Sequence, residues 1–174
     1  ENLIPFLVQT VTAFPHVPVI ASGGITRPRS FASVLAAGAE GAWIGTAFLM
    51  AKEGEAVRPV TREAILNSNG RDTVFSSATD HVMDHGLKRP GWPETVAVRH
   101  KPNEITETWG GREDELAKSP EVLEAYYKRM SENDRAVAMI YYGQGAGMIN
   151  EVKSAKQIVD DLVLGALKRL RSFA

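Results

Sequence analysis

Residues 18–46, PVIASGGITRPRSFASVLAAGAEGAWIGT, constrain what this chain can fold into more than any other stretch. Val19, Ile20 and Ala21 run into Ser22-Gly23-Gly24, and Ala42, Trp43 and Ile44 run into Gly45-Thr46. Between them Thr26 reads as an N-cap, Pro28 falls in a first helical turn, and Phe31, Ala32, Val34, Leu35 and Ala36 make a buried stripe. Gly38 fits the left-handed position that closes a helix. Strand, helix and strand with such short links predict a parallel pair with a right-handed crossover. Both strands are apolar on both faces, as in a parallel sheet covered by helices. Both would end in glycine at one edge of the sheet, where a missing Cβ lets a ligand approach backbone N–H groups. Two such turns side by side suit a phosphate, which takes several N–H donors.

The remaining chain supplies elements around this unit. LIPFLVQTVTAF at 3–14 places Leu3, Phe6, Leu7, Thr10, Val11 and Phe14 at helical spacing, with Pro5 in the first turn and Pro15 and Pro18 leading into the strand. AFLMAKEG after Thr46 predicts a short helix capped by Thr46 and ended by Gly54, and 61–67 predicts another before the Asn69-Gly70 turn. Residues 71–112 read as irregular, with β-like runs only at Thr73–Ser76 and Thr95–Val98, and with Trp92 and Trp109 as packing anchors. A helix is predicted from Ser119-Pro120-Glu121, with Val122, Ala125, Tyr126 and Met130 inward. After the apolar run 136–142 and Gly143-Gln144-Gly145-Ala146-Gly147, a last helix starts at Ser154 with Gln157 completing a capping box. Its expected inner face is Ile158, Val159, Leu162, Val163, Ala166, Leu167 and Leu170. This divides the chain into 1–70, an irregular and helical excursion at 71–135, and a closing loop and helix at 136–174, within one domain.

Composition excludes several function classes. A net charge of −1 gives no electrostatic case for nucleic acid or an anionic membrane surface. The chain has no cysteine, which rules out disulfide and thiol chemistry and suits a reducing, cytoplasmic setting. No apolar run approaches the roughly 18 residues of a membrane span.

Other candidate sites compete with plainer readings. Met148 stands where the third glycine of a dinucleotide fingerprint belongs, so the 143–147 glycines fail that spacing. Asp80-His81 and Asp84-His85 repeat at a spacing of four that metals can use, but their polar surroundings favour a surface pair and no metal. Arg27 and Arg29 flank the first glycine turn and read as solvated arginines at a helix start.

PVIASGGI, GAEGAWIGTAFLMAKE, the Asp72-Thr73 pair and GQGAGMI before an amphipathic helix together resemble the C-terminal half of the nitronate monooxygenase family, also called 2-nitropropane dioxygenase. That family consists of FMN-dependent (β/α)8, or TIM-barrel, flavoproteins. The resemblance implies an α/β fold that is a partial barrel, holding its last two strands, with an irregular insertion and C-terminal helices. It implies that the N–H groups of Gly23, Gly24, Gly45 and Thr46 hold the FMN phosphate, with Ser22, Trp43 and Ile44 beside them in the cofactor site. The family segment often reads Gln-Ile-Gly-Thr, so Trp43 is a departure that removes a side-chain amide contact there. The 143–147 loop is expected to close over the cofactor or substrate side, with Gln144 as a polar contact.

The implied activity is oxidation of an alkyl nitronate, or nitroalkane, by O2 to a carbonyl compound and nitrite. The family's catalytic histidine lies upstream of the matching part. None of His16, His81, His85 or His100 corresponds to it, so no catalytic residue is expected in this chain. Two parallel strands cannot close a barrel. The chain, which begins at Glu1, is therefore expected to be a fragment that is inactive without the missing N-terminal half-barrel. Two alternatives share the phosphate grip or lack the chemistry. One is a related FMN barrel reductase that uses NAD(P)H, of the enoyl-acyl carrier protein or quinone reductase type. The other is a non-catalytic remnant or a half-barrel component that needs a partner chain.

Overall fold

The computed structural model describes residues 2–93 and 96–172. In chain order the elements are α1 (Leu3–Ala13), β1 (Ile20–Ser22), α2 (Pro28–Ala36), β2 (Gly41–Trp43), α3 (Pro59–Leu66), β3 (Val74–Ser76), α4 (Ala78–Leu87), β4 (Val98–His100), α5 (Glu104–Trp109), α6 (Glu113–Ala117), α7 (Pro120–Ser131) and α8 (Ala155–Arg171). They fall into two compact units, one made of Glu1–Arg71 and Gly143–Ala174, the other of Asp72–Tyr142.

The first unit is built on the predicted strand–helix–strand. β1 and β2 pair in parallel, with Ile20 opposite Gly41, Ala21 opposite Ala42 and Ser22 opposite Trp43. Leu7, Ala21, Ile25, Val34 and Ala39 form the core beneath them, joined by Leu3, Val11, Val19, Phe31, Ala42 and Ile44. α8 lies along α2, and mid-helix Gly165 permits it, since a Cβ there would come within 2.6 Å of the Pro28 ring. The Ser154–Gln157 capping box forms as expected, and the Glu53 carboxylate accepts a further α8 amide from Ala155 at 2.8 Å.

Several apolar faces differ from the expected pattern. Only one face of the two-stranded sheet is covered: Ala21 is buried, whereas Ile20 and Trp43 are exposed, Trp43 by 75%. Of the α1 stripe Leu7 is buried, but Phe6 and Phe14 face solvent. On α8, Ile158, Leu162 and Ala166 are buried while Val159, Val163 and Leu167 are exposed. The apolar stripe is wider than the buried face, because periodicity marks an apolar face whether or not anything packs on it.

The second unit corrects the reading of 71–112 as irregular. It holds the antiparallel pair β3–β4, with Phe75 opposite Arg99, and the ten-residue α4. α4 packs on α7, and Ala78, Val82, Ile105, Leu116, Leu123 and Val137 make the core, with Trp109 against it. α4 escaped detection because its buried face carries Thr79, Asp80 and Asp84 beside only two buried apolar residues. Trp92 is exposed rather than a packing anchor. Of the β-like run at 95–98, Thr95 lies outside the described residues. Among the described residues no helix is long and apolar enough to cross a membrane.

Candidate functional site

The two glycine turns meet at the C-terminal edge of the parallel pair. Ser22 opposite Trp43 is the last paired position, so Gly23-Gly24 and Ile44-Gly45 leave the sheet side by side. Gly23 and Gly24 adopt φ of +116° and +67°, conformations that L side chains rarely hold. A Cβ built on Gly23, Gly24 or Gly45 would meet nothing within 4 Å, so the space before these residues is open. Their amides and that of Thr46 donate to no loop or cap acceptor among the described residues. Ser22 and Trp43 are exposed beside them, while Ile44 packs into the core and anchors the second turn from behind. Adjacent backbone amides on tight turns can form a concave anion site.

The short helix predicted after Thr46 is a single 3-10 turn, Phe48–Met50. Gly45 O closes it by accepting from Phe48 N at 2.9 Å and from Leu49 N at 3.3 Å. It is too short to carry a useful dipole at the glycine edge.

Neither threonine caps a helix. At α2 the Ser30 hydroxyl accepts from the amides of Thr26 and Arg27, each at 3.2 Å, and Arg27 occupies the cap position. The Thr26 hydroxyl instead donates to Gly145 O at 3.3 Å, and the Thr46 oxygen accepts from Gly143 N at 3.0 Å. Gly145 and Gly147 thus serve close packing, since a Cβ there would lie 2.5 Å from Thr26 and 2.4 Å from Asn69. The side chain of Gln144 is exposed, and its backbone carbonyl lies where a Cβ on Gly70 would fall.

Arg27 reaches Asn150 Oδ1 at 3.4 Å on the surface. A neighbouring cavity of about 60 Å³ is lined by Thr26, Arg27, Ala47 and Lys153 among others, but by none of the glycine-turn residues. Its Lys153 is already paired with Glu151 and Asp161, at 3.0 and 2.7 Å.

In the second unit, Asp80 and Asp84 point inward, against the expectation of a surface pair. Asp84 pairs with Arg89 through Oδ1, while its Oδ2 is buried without a hydrogen-bond partner among the described residues. Burial, then the charge of Asp84, pushes the Asp80 carboxyl above its usual value. His81 lies 3.4 Å from the Ser77 hydroxyl, and His85 3.2 Å from Glu124. Among the described residues no group of three His, Cys, Asp or Glu could hold a metal.

His100 is fully buried. Its Nδ1 lies 2.7 Å from Lys101 O, which can only accept, so Nδ1 carries the proton. Nε2 then accepts from the Thr79 hydroxyl at 3.2 Å. Burial lowers its pKa, partly opposed by the Lys101 carbonyl and Asp80. With both nitrogens engaged, this ring is a structural group of the core.

The nitronate monooxygenase family model matches residues 2–165. A Mycobacterium tuberculosis protein, Rv1533, named as a candidate monooxygenase, is 30% identical over 162 residues, covering 92% of this chain and 41% of that protein. A Staphylococcus aureus protein named as a probable nitronate monooxygenase is 30% identical over 138 residues, covering 67% of this chain and 38% of its own length. FabK from Thermotoga maritima superposes with a TM-score of 0.74 at 27% identity, over 99% of this chain and 52% of that one. A nitroalkane oxidase from Streptomyces ansochromogenes superposes with a TM-score of 0.71 at 26% identity, over 99% of this chain and 46% of that one. The chain thus spans about half, or less, of the length of these relatives.

Proposed function

This chain belongs to the nitronate monooxygenase family, and on that premise we propose that it is the phosphate-binding part of an FMN-dependent (β/α)8-barrel oxidoreductase that oxidises alkyl nitronates. The single observation that carries the reading is the pair of open, adjacent glycine turns, whose amides at Gly23, Gly24, Gly45 and Thr46 have no loop or cap acceptor among the described residues. They suit a phosphate monoester because several N–H donors lie on adjacent turns where an added Cβ would meet nothing within 4 Å. When bound, FMN supplies the redox chemistry, in which electrons leave a nitronate for oxygen and yield a carbonyl compound and nitrite. The residues of this chain grip and orient the phosphate end. They hold no assigned base, since His100 is locked in the core of the second unit.

The exposed Phe6, Phe14, Val17, Ile20 and Trp43 support a half-barrel that is completed by further strands in the intact protein. Purification of the full-length protein tests the reading. A flavin spectrum, release of FMN on denaturation and oxygen uptake with a nitronate are the expected results. A colourless protein refutes it. A flavoprotein that oxidises NAD(P)H and ignores nitronates moves the chain to the reductase alternative with the phosphate grip intact.

A further inference from the structure

Each glycine turn is followed closely by a threonine, and both threonines reach the same distant segment. Thr26 stands two residues after Gly24, and Thr46 directly after Gly45. The Thr46 oxygen accepts from Gly143 N and the Thr26 hydroxyl donates to Gly145 O, so the segment is held through a donor and an acceptor of its backbone. The segment, Gln144–Met148, is itself a 3-10 turn, closed by Ala146 N donating to Gly143 O at 2.9 Å, with Ile149 N donating to Ala146 O at 2.8 Å.

Sterics close the same joint. A Cβ on Gly145 would lie 2.5 Å from the Thr26 methyl, and one on Gly147 would strike the Asn69 carbonyl group and lie 2.6 Å from Gly70 N. Gly70, at φ +77°, in turn leaves room for the Gln144 carbonyl. The turn is therefore wedged against the Thr26 side chain and the Asn69-Gly70 backbone. Gly143 is the residue at which the chain returns to that unit, and Arg71 the one at which it leaves.

We infer that Thr26 and Thr46 are positioning residues that couple occupancy of the glycine turns by a phosphate monoester to docking of the 143–148 turn. The inference rests on the phosphate reading above. A dianion that fixes the peptide planes of Gly23, Gly24, Gly45 and Thr46 also fixes the two hydroxyls attached one or two residues on. The hydroxyls fix the turn. Linkage makes the effect reciprocal, so a docked turn pre-organises the grip.

The test compares FMN with riboflavin, which lacks the phosphate, on the full-length protein. FMN is expected to raise hydrogen-exchange protection at Ala146 and Ile149, and riboflavin to leave it unchanged. Thr46→Val, which removes the acceptor and keeps the shape, should weaken FMN roughly 3- to 10-fold, the size of one lost hydrogen bond. Riboflavin affinity should stay as it is, and Thr46→Ser should restore FMN. Thr26→Val and Thr26→Ser should behave likewise.

Unchanged protection on FMN binding, or a wild-type FMN-over-riboflavin preference in both valine variants, overturns the coupling while leaving the phosphate site standing. Equal affinity of the wild-type protein for FMN and riboflavin overturns the phosphate reading and the coupling together. Should the valine variants not fold, the wild-type exchange comparison decides alone.

Discussion

Thr46 and Gly143 lie 97 positions apart, yet the Gly143 amide donates to the Thr46 hydroxyl oxygen at 3.0 Å. This bond brings the segment that returns from the second unit to the residue following the second glycine turn. The first glycine turn has a matching bond, from Thr26 to Gly145 O. The candidate site is therefore a junction of three chain segments, and the predictions follow from what each segment can tolerate.

Gly45→Ala separates binding from stability. The position has no positive φ and open space before it, so a methyl group is accommodated in the folded chain. Stability, read from the melt, should change by no more than a neutral surface substitution does, about 0.5 kcal/mol. The same methyl enters the space a phosphate needs, so flavin affinity should fall about tenfold or more, the cost of displacing one or two charge-assisted hydrogen bonds. Isothermal titration with FMN beside a thermal melt reads both, and unchanged affinity counts against the site.

Gly147→Ala should act in the opposite way. Its new Cβ meets the Asn69 and Gly70 backbone, which cannot rotate aside. Overpacking of this kind costs about 1–3 kcal/mol. Urea denaturation measures it, and a variant as stable as wild type would show that the turn is not wedged.

His100 should titrate below its ordinary value of 6.5 because burial disfavours the imidazolium. Between that value and the lower folded one, the unfolded chain binds more protons than the folded chain. The stability held by the neutral ring is complete above about pH 6.5 and declines as pH falls toward the folded pKa. NMR of the His100 ring protons checks the sign, and a midpoint at or above 6.5 contradicts it.

Trp43 reports on the bare face of the sheet. Its indole is 75% exposed in this chain. Completion of a barrel over that face would bury it. In full-length protein carrying Trp92→Phe and Trp109→Phe, which leave Trp43 as the reporter within this stretch, emission should be blue-shifted and shielded from acrylamide. Water-like emission with free quenching would leave the half-barrel reading without its physical basis.

Much of this was legible in the residues. The Ser154–Gln157 box, Pro28 in a first turn, and Gly38 at its left-handed closing position are local signals, and local signals act wherever the chain goes. The β1–α2–β2 unit and its two glycine turns are equally local, and the motifs around them carried the family. α4 was hidden because two aspartates and a threonine share its buried face, which no hydrophobic period reports. Periodicity marks the outer stripes of α1 and α8 as core because it registers an apolar face without saying whether anything covers it.

The sequence by itself determined β1, α2, β2, the Ser154 cap of α8 and the glycine edge, since each depends on neighbours within a few residues. The tertiary structure alone decided what Thr26 and Thr46 do. A threonine before a helical segment reads as a cap, but a hydroxyl goes to the polar group that burial leaves without a partner. For these two residues, that group arrives 119 and 97 positions later, on a glycine turn whose missing β-carbons let it come close.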